Sequence, residues 1–136
     1  MDAAILDTDI LSEVLKQRNA PVASKAALYL GLHGQLAFSV FTRFEIERGY
    51  KERQAVQLLA RLAIFCQHSM VFPLTDAIFD RAGDLWVAGR RAGHPHGDAD
   101  LLIAATALVY NRVLVTGNTS HFAWISGLRT EDWRQP

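Results

Sequence analysis

The sequence predicts an α/β domain: a short, mostly parallel twisted sheet of about five strands with helices on both faces. Three observations carry this reading. Brief β-type runs recur at Ala3–Leu6, Leu36–Val40, Met70–Leu74, Val113–Thr116 and Leu128–Thr130. The segments between them place apolar residues near i, i+3, i+4 spacing, the pattern of helices that bury one stripe. Val113-Leu114-Val115 is apolar without alternation, as a parallel strand covered on both faces must be.

In chain order, helices are expected over Ile10–Arg18, Val22–His33, Thr42–Tyr50, Arg53–Gln67, Ala77–Ala92 and Ala99–Asn111. Gly93-His94-Pro95-His96-Gly97 is the clearest loop, because Gly and Pro interrupt both helical neighbours. His94 and His96 flank a proline, a weak metal pattern that reads first as loop. With 136 residues and no repeat or linker, a single domain spanning 1–136 is expected. The amphipathic pattern Val56, Leu59, Leu62, Ala63 suits either a core or an interface.

Lys plus Arg and Asp plus Glu number 14 each, so net charge alone points to neither nucleic acid nor an acidic partner. A lone cysteine, Cys66, excludes an internal disulfide and a Cys-rich metal motif. No signal peptide is read after the acidic Met1-Asp2. The apolar stretch Leu101–Tyr110 falls short of the roughly 20 residues a membrane span needs. A cytoplasmic protein with no membrane contact is the expectation.

Four acidic positions stand out. Asp7 ends the first strand; with Thr8 or Asp9 available to cap a helix starting at Ile10, Asp7 has no evident structural duty. Glu45 follows the second strand, where Thr42-x-x-Glu45 matches a capping box. Asp98 and Asp100 precede the apolar helix Leu101–Leu108; residues two apart point about 200° apart, so Asp98 is read as the N-cap and Asp100 as the inward residue. After the fourth strand, Thr116, Asn118 and His121 offer polar groups but no carboxylate.

Ligands in open α/β sheets bind beyond the carboxyl ends of the strands, the edge on which Asp7, Glu45 and Asp100 are expected. Three adjacent carboxylates raise one another's pKa unless a cation neutralises them. Mg²⁺ or Mn²⁺, hard ions that favour oxygen, suits the set. Such an ion can activate water against a phosphodiester, with no protein nucleophile. No Gly-x-Ser-x-Gly elbow, His-Glu-x-x-His pair or Walker loop offers another chemistry.

At these residues the chain resembles the PIN-domain ribonucleases, specifically the VapC toxins of bacterial VapBC toxin–antitoxin pairs. The resemblance rests on Leu6-Asp7-Thr8-Asp9-Ile10-Leu11-Ser12-Glu13, on Ser39-Val40-Phe41-Thr42-Arg43-Phe44-Glu45, on Asp100-Leu101-Leu102-Ile103-Ala104-Ala105-Thr106-Ala107, and on Leu114–Phe122 with Glu131-Asp132-Trp133. It implies an Mg²⁺- or Mn²⁺-dependent endoribonuclease acting on RNA, tRNA or another structured RNA among the candidates. Asp7, Glu45 and Asp100 would be both its catalytic and its metal residues, with Asp9, Asp98, Thr116, Asn118 and His121 in support. It also implies a VapB-type antitoxin partner and a homodimer. Two positions depart from the pattern: Asp9 stands where Asn is common, and His121 where many members carry a fourth acid.

Arg43, Arg48, Arg90 and Arg91, with Lys51 and Arg53, flank these motifs and are candidate RNA contacts. Two other readings compete. A degenerate toxin would bind RNA or antitoxin without cutting. Ile5-Leu6-Asp7-Thr8-Asp9 also resembles the opening of haloacid-dehalogenase-like phosphatases, but that chemistry needs a downstream lysine, and the last one here is Lys51.

Overall fold

The computed structural model describes residues 1–136. The expected alternation is present, with the elements β1 (Ala4–Leu6), α1 (Thr8–Lys16), α2 (Ala20–His33), β2 (Ala37–Ser39), α3 (Val40–Glu52) and α4 (Val56–Gln67), then β3 (Met70–Phe72), α5 (Asp76–Arg91), α6 (Asp98–Val109), β4 (Val113–Val115), α7 (Thr119–Phe122) and β5 (Thr130–Glu131). All five strands are parallel, in the order β3-β2-β1-β4-β5.

Side chains alternate across a strand, so each three-residue strand serves two cores. Ala4, Leu6, Val113 and Val115 face one layer with Ile10 and Leu11 of α1, Tyr29 of α2, Ile46 of α3, Leu62 of α4 and the fully buried Trp133. Ile5 and Leu114 face the other with Ile78 of α5, Ala104 of α6 and Phe122 of α7. Helix α6 is buried nearly all round, and its one central hydroxyl, Thr106, is satisfied by donating to the Leu102 carbonyl at 2.7 Å. Leu62 is buried while Val56 is 73% exposed, so the α4 pattern is split between core and surface.

The strand order places the site. From β1 the chain builds outward to β2 and β3 on one side and returns to β4 and β5 on the other, so β1 and β4 flank the switch point where α/β folds open a crevice. Leu6 pairs with Val115 there, and the Asp7 N–H donates to the Val115 carbonyl at 2.9 Å. Asp7 and Thr116, the residues that follow the paired strands, therefore leave the sheet side by side.

Candidate metal centre

Each acid is held by a helix start, though not always the one the sequence suggests. Helix α1 begins at Thr8 rather than Ile10, and Asp7 itself is the N-cap, accepting from the Ile10 N–H at 2.8 Å. Asp9 lies inside the first turn, where the positive end of the helix favours a carboxylate. In α3 the cap is Ser39, whose hydroxyl accepts from the N–H groups of Phe41 and Thr42 at 2.9 and 3.3 Å. The Thr42–Glu45 capping box is thus not formed. Thr42 is buried, and Glu45 sits in the second helical turn, free of capping duty. In α6 the cap position belongs to Gly97, without a side-chain cap bond, and Asp98 is the first helical residue.

Asp7, Thr8, Asp9, Glu45 and Asp100 line one cleft of about 180 Å³, closed by Ala99, Ile103 and Phe122. Asp98 points elsewhere, into an apolar hollow lined by Phe79, Trp86, Leu101 and Leu102, as the angular separation from Asp100 requires. The Thr8 hydroxyl donates to Glu45 Oε1 at 2.6 Å. Glu45 Oε2 has only a loose partner, Arg48 at 3.7 Å. Neither Asp7 nor Asp9 forms an ion pair.

Burial pushes the Asp7 carboxyl above its ordinary range, reinforced by the negative charge of Asp9; the Thr116 hydroxyl, the Ile10 N–H and the charge of Arg134 oppose this only in part. A carboxylate partly withdrawn from water among other acids, with no ion pair of its own, suits a bound divalent ion. The donors present are all oxygens, as Mg²⁺ or Mn²⁺ prefers.

The polar residues after β4 have distinct duties. Thr116 is buried and accepts from the Asn118 N–H at 3.1 Å. Asn118 caps the short α7 without accepting from any of its backbone N–H groups; its side chain accepts from the Ser120 hydroxyl. His121, on α7, places Nε2 2.8 Å from Asp100 Oδ2. The loop residue His96 joins them, its Nδ1 lying 2.9 Å from that same Nε2. His94 remains outside, stacked at 6.1 Å on Trp124.

The candidate RNA-binding arginines separate. Arg48 reaches the acids through Glu45, while Arg43 pairs with Glu47 at 3.8 Å and faces a different hollow with Leu59 and Cys66. Arg90 lies over the Trp86 ring on α5, and Arg91 ends that helix. Arg134, which sequence reasoning missed, bonds Asp132 and the Gly117 carbonyl and extends positive charge toward Asp7 and Asp9. A Cβ at Gly117 would meet the Arg134 guanidinium and push that flexible side chain aside.

Comparison with known proteins gives the class. The PIN domain model matches residues 4–126. A tRNA(fMet)-specific endonuclease VapC of Shigella flexneri is 31% identical over 95% of this chain and 96% of that protein. Ribonuclease VapC10 of Mycobacterium tuberculosis is 32% identical over 92% and 90%. Among solved structures, VapBC2 from Rickettsia felis bound to a promoter DNA fragment superposes with a TM-score of 0.85 at 25% identity, covering 96% of this chain and 98% of that one. The DNA-bound VapBC from Salmonella typhimurium gives 0.85 at 26%, over 98% and 99%. The chain belongs to the PIN-domain family and, within it, to the VapC ribonucleases. That membership replaces the phosphatase reading. No helix is long and apolar enough to cross a membrane.

Proposed function

We propose that this chain is the toxin of a VapBC-type pair, a metal-dependent endoribonuclease whose catalytic ion is held by Asp7, Glu45 and Asp100. One observation carries the assignment of residues: three carboxylates from three different elements converge on one cleft at the switch point of the sheet, and Asp7 is half-buried without an ion pair. When bound, Mg²⁺ or Mn²⁺ supplies an activated water and stabilises charge on a phosphoryl oxygen.

The chain's own residues fix the geometry. The Ile10 N–H clamps Asp7, and the Thr8 hydroxyl occupies Glu45 Oε1, which leaves Oε2 with only the loose Arg48 contact. His121 engages Asp100 Oδ2, which leaves Oδ1 for the cleft. An adjoining hollow of about 450 Å³ continues the cleft; Lys16 and Arg53 on its wall, among Asp9, Glu45 and Glu52, are the positive groups nearest a phosphate backbone there. Arg48 sits beside it; Arg43, Arg90 and Arg91 would have to act from the flanks.

The solved VapBC structures from Rickettsia felis and Salmonella typhimurium are both bound to DNA, which supports a VapB-type antitoxin as the partner here. A homodimer is the accompanying assembly. The exposed Phe79 and Trp86, with the half-buried Leu102, around the α5–α6 hollow are apolar surface available to such contacts.

The test is cleavage of end-labelled tRNA and of an unstructured RNA by the purified chain with Mg²⁺, Mn²⁺ or chelator, beside Asp7→Asn. Cleavage is expected only with metal, and Asp7→Asn should lower it by about 10²-fold or more, the loss of several kcal/mol of charge stabilisation. An Asp7→Asn protein of full activity would overturn the site. Folded protein that binds RNA and metal but never cuts would select the non-catalytic reading.

A further inference from the structure

Beside the oxygen-lined cleft lies a second constellation of different chemistry. His96, Asp100 and His121 each bring one ligand atom within 4.8 Å of the other two. His96 comes from the loop before α6, Asp100 from the first turn of α6 and His121 from α7, so three separate segments deliver three ligand atoms to one point.

Their hydrogen bonding is incomplete in every neutral arrangement. His121 Nε2 faces Asp100 Oδ2 at 2.8 Å and His96 Nδ1 at 2.9 Å. A hydrogen on Nε2 must be shared between two acceptors; without it, two lone pairs oppose each other across the Asp100 contact. One cation at the centre satisfies all three lone pairs. Bonds of about 2.0–2.2 Å to nitrogen and oxygen require donors roughly 3.4 Å apart, so His121 must draw back by about half an ångström from each neighbour while His96 and Asp100 close by on the order of 1 Å, a change within reach of a loop side chain and a first-turn carboxylate.

The rings are fixed before any ion arrives. His96 stacks on Trp124 with centroids 4.9 Å apart and planes 16° from parallel, and His121 packs edge-on against Phe122. The loop carrying His96 is pinned where the His94 N–H donates to the Gly89 carbonyl at 2.7 Å. Only glycine allows this approach, since a Cβ on residue 89 would lie 2.6 Å from the His94 carbonyl oxygen. Fixed orientation of ligating imidazoles is a recurrent property of built metal sites.

We propose that His96, Asp100 and His121 form a site for a zinc-class divalent ion (Zn²⁺, with Co²⁺ as its spectroscopic stand-in), adjacent to the all-oxygen group and sharing Asp100 with it. Two imidazoles and one carboxylate favour borderline ions over Mg²⁺, which keeps to oxygen. The proposal rests on the ribonuclease reading only through the shared Asp100.

The experiment uses the full chain, stripped of metal, with Zn²⁺ and Co²⁺ as probes. Zn²⁺ should shift the ¹⁵N resonances of His96 Nδ1 and His121 Nε2, and Co²⁺ should develop visible bands of nitrogen ligation that excess Mg²⁺ leaves in place. His96→Ala and His121→Ala should each weaken Zn²⁺ binding by about tenfold or more, while Asp7→Asn keeps it. His121→Asp, which restores an acid, should trade Zn²⁺ preference for Mn²⁺. Circular dichroism of each variant, with His96→Gln as a milder replacement, separates ligand loss from misfolding. Unshifted nitrogens, or Zn²⁺ held equally by the folded His96 variants, would overturn the proposal. Metal- and Asp7-dependent RNA cleavage in that case leaves the ribonuclease standing; shifted nitrogens in a chain whose Asp7→Asn form still cuts RNA would do the reverse.

Discussion

The two sides of the cleft are built differently. On the oxygen side, Asp7 caps α1 directly at the end of β1, and Glu45 lies in a helix that begins at the residue after β2. Both elements bury residues in the same core layer, so these acids move only if the sheet moves. On the nitrogen side, His96 sits in a loop and His121 on a four-residue helix, and the two are held by aromatic stacking. In the proposed function the rigid side would set where an ion and a phosphate meet. The side built from loop and short helix varies which ion is preferred, and Asp100 alone belongs to both.

Removing the shared residue is the strongest way to break this comparison. Asp100→Asn keeps the shape of the side chain but weakens both groups, so RNA cleavage should fall by about 10²-fold or more and Zn²⁺ affinity should fall with it. Asp7→Asn should cost as much cleavage while sparing Zn²⁺. The check is a cleavage assay and a Zn²⁺ titration on the same two proteins. Parallel behaviour of the two variants would merge the two sides into one site.

A smaller effect sharpens the oxygen side. Thr8→Val removes the hydroxyl that holds Glu45 Oε1 at 2.6 Å and changes no charge. Freed to turn, Glu45 should leave RNA affinity near its original value while turnover drops by about tenfold, the cost of about 1.4 kcal/mol of lost orientation. A kcat and KM comparison under saturating Mg²⁺ decides this, and an unchanged kcat would mean that Glu45 is oriented by the bound ion alone.

Legibility in the sequence follows the same division. The convergence of Asp7, Glu45 and Asp100 on one cleft was readable because strand and helix periodicities locate the junctions near which each lies. Which residue caps was not readable. Asp7, Thr8 and Asp9 are all competent caps, as are Ser39 and Thr42, and backbone geometry selects Asp7 and Ser39. The early start of α3 then moves Glu45 into the second turn. His96 read as loop because its partner is 25 residues away and reaches it only through the packing of Trp124 and α7. Helix α7 is barely one turn long, too short to show a period, and Arg134 gains meaning only when the chain end folds back over Gly117.

The smallest expected effect separates what Asp7 does for the fold from what it does for chemistry. Burial holds its carboxyl above the ordinary value of 3.8, so the folded chain retains a proton that the unfolded chain releases more readily. The sign follows by linkage: the stability this group contributes is complete below about pH 3.8 and is lost as pH rises through the raised folded value. At neutral pH the buried charge is therefore a burden that Asn does not carry, while Asn caps a helix as well as Asp. In metal-free buffer Asp7→Asn should raise stability by on the order of 1 kcal/mol, about 3–5 °C in Tm for a domain of this size, and the gain should vanish in acid. Mg²⁺ or Mn²⁺ should reverse the order, since an ion at 100 times its Kd adds about 2.7 kcal/mol to the protein that binds it. Melting curves at two pH values with and without metal give all four corners. An Asp7→Asn chain less stable than the original without metal would mean that the carboxylate serves the fold after all.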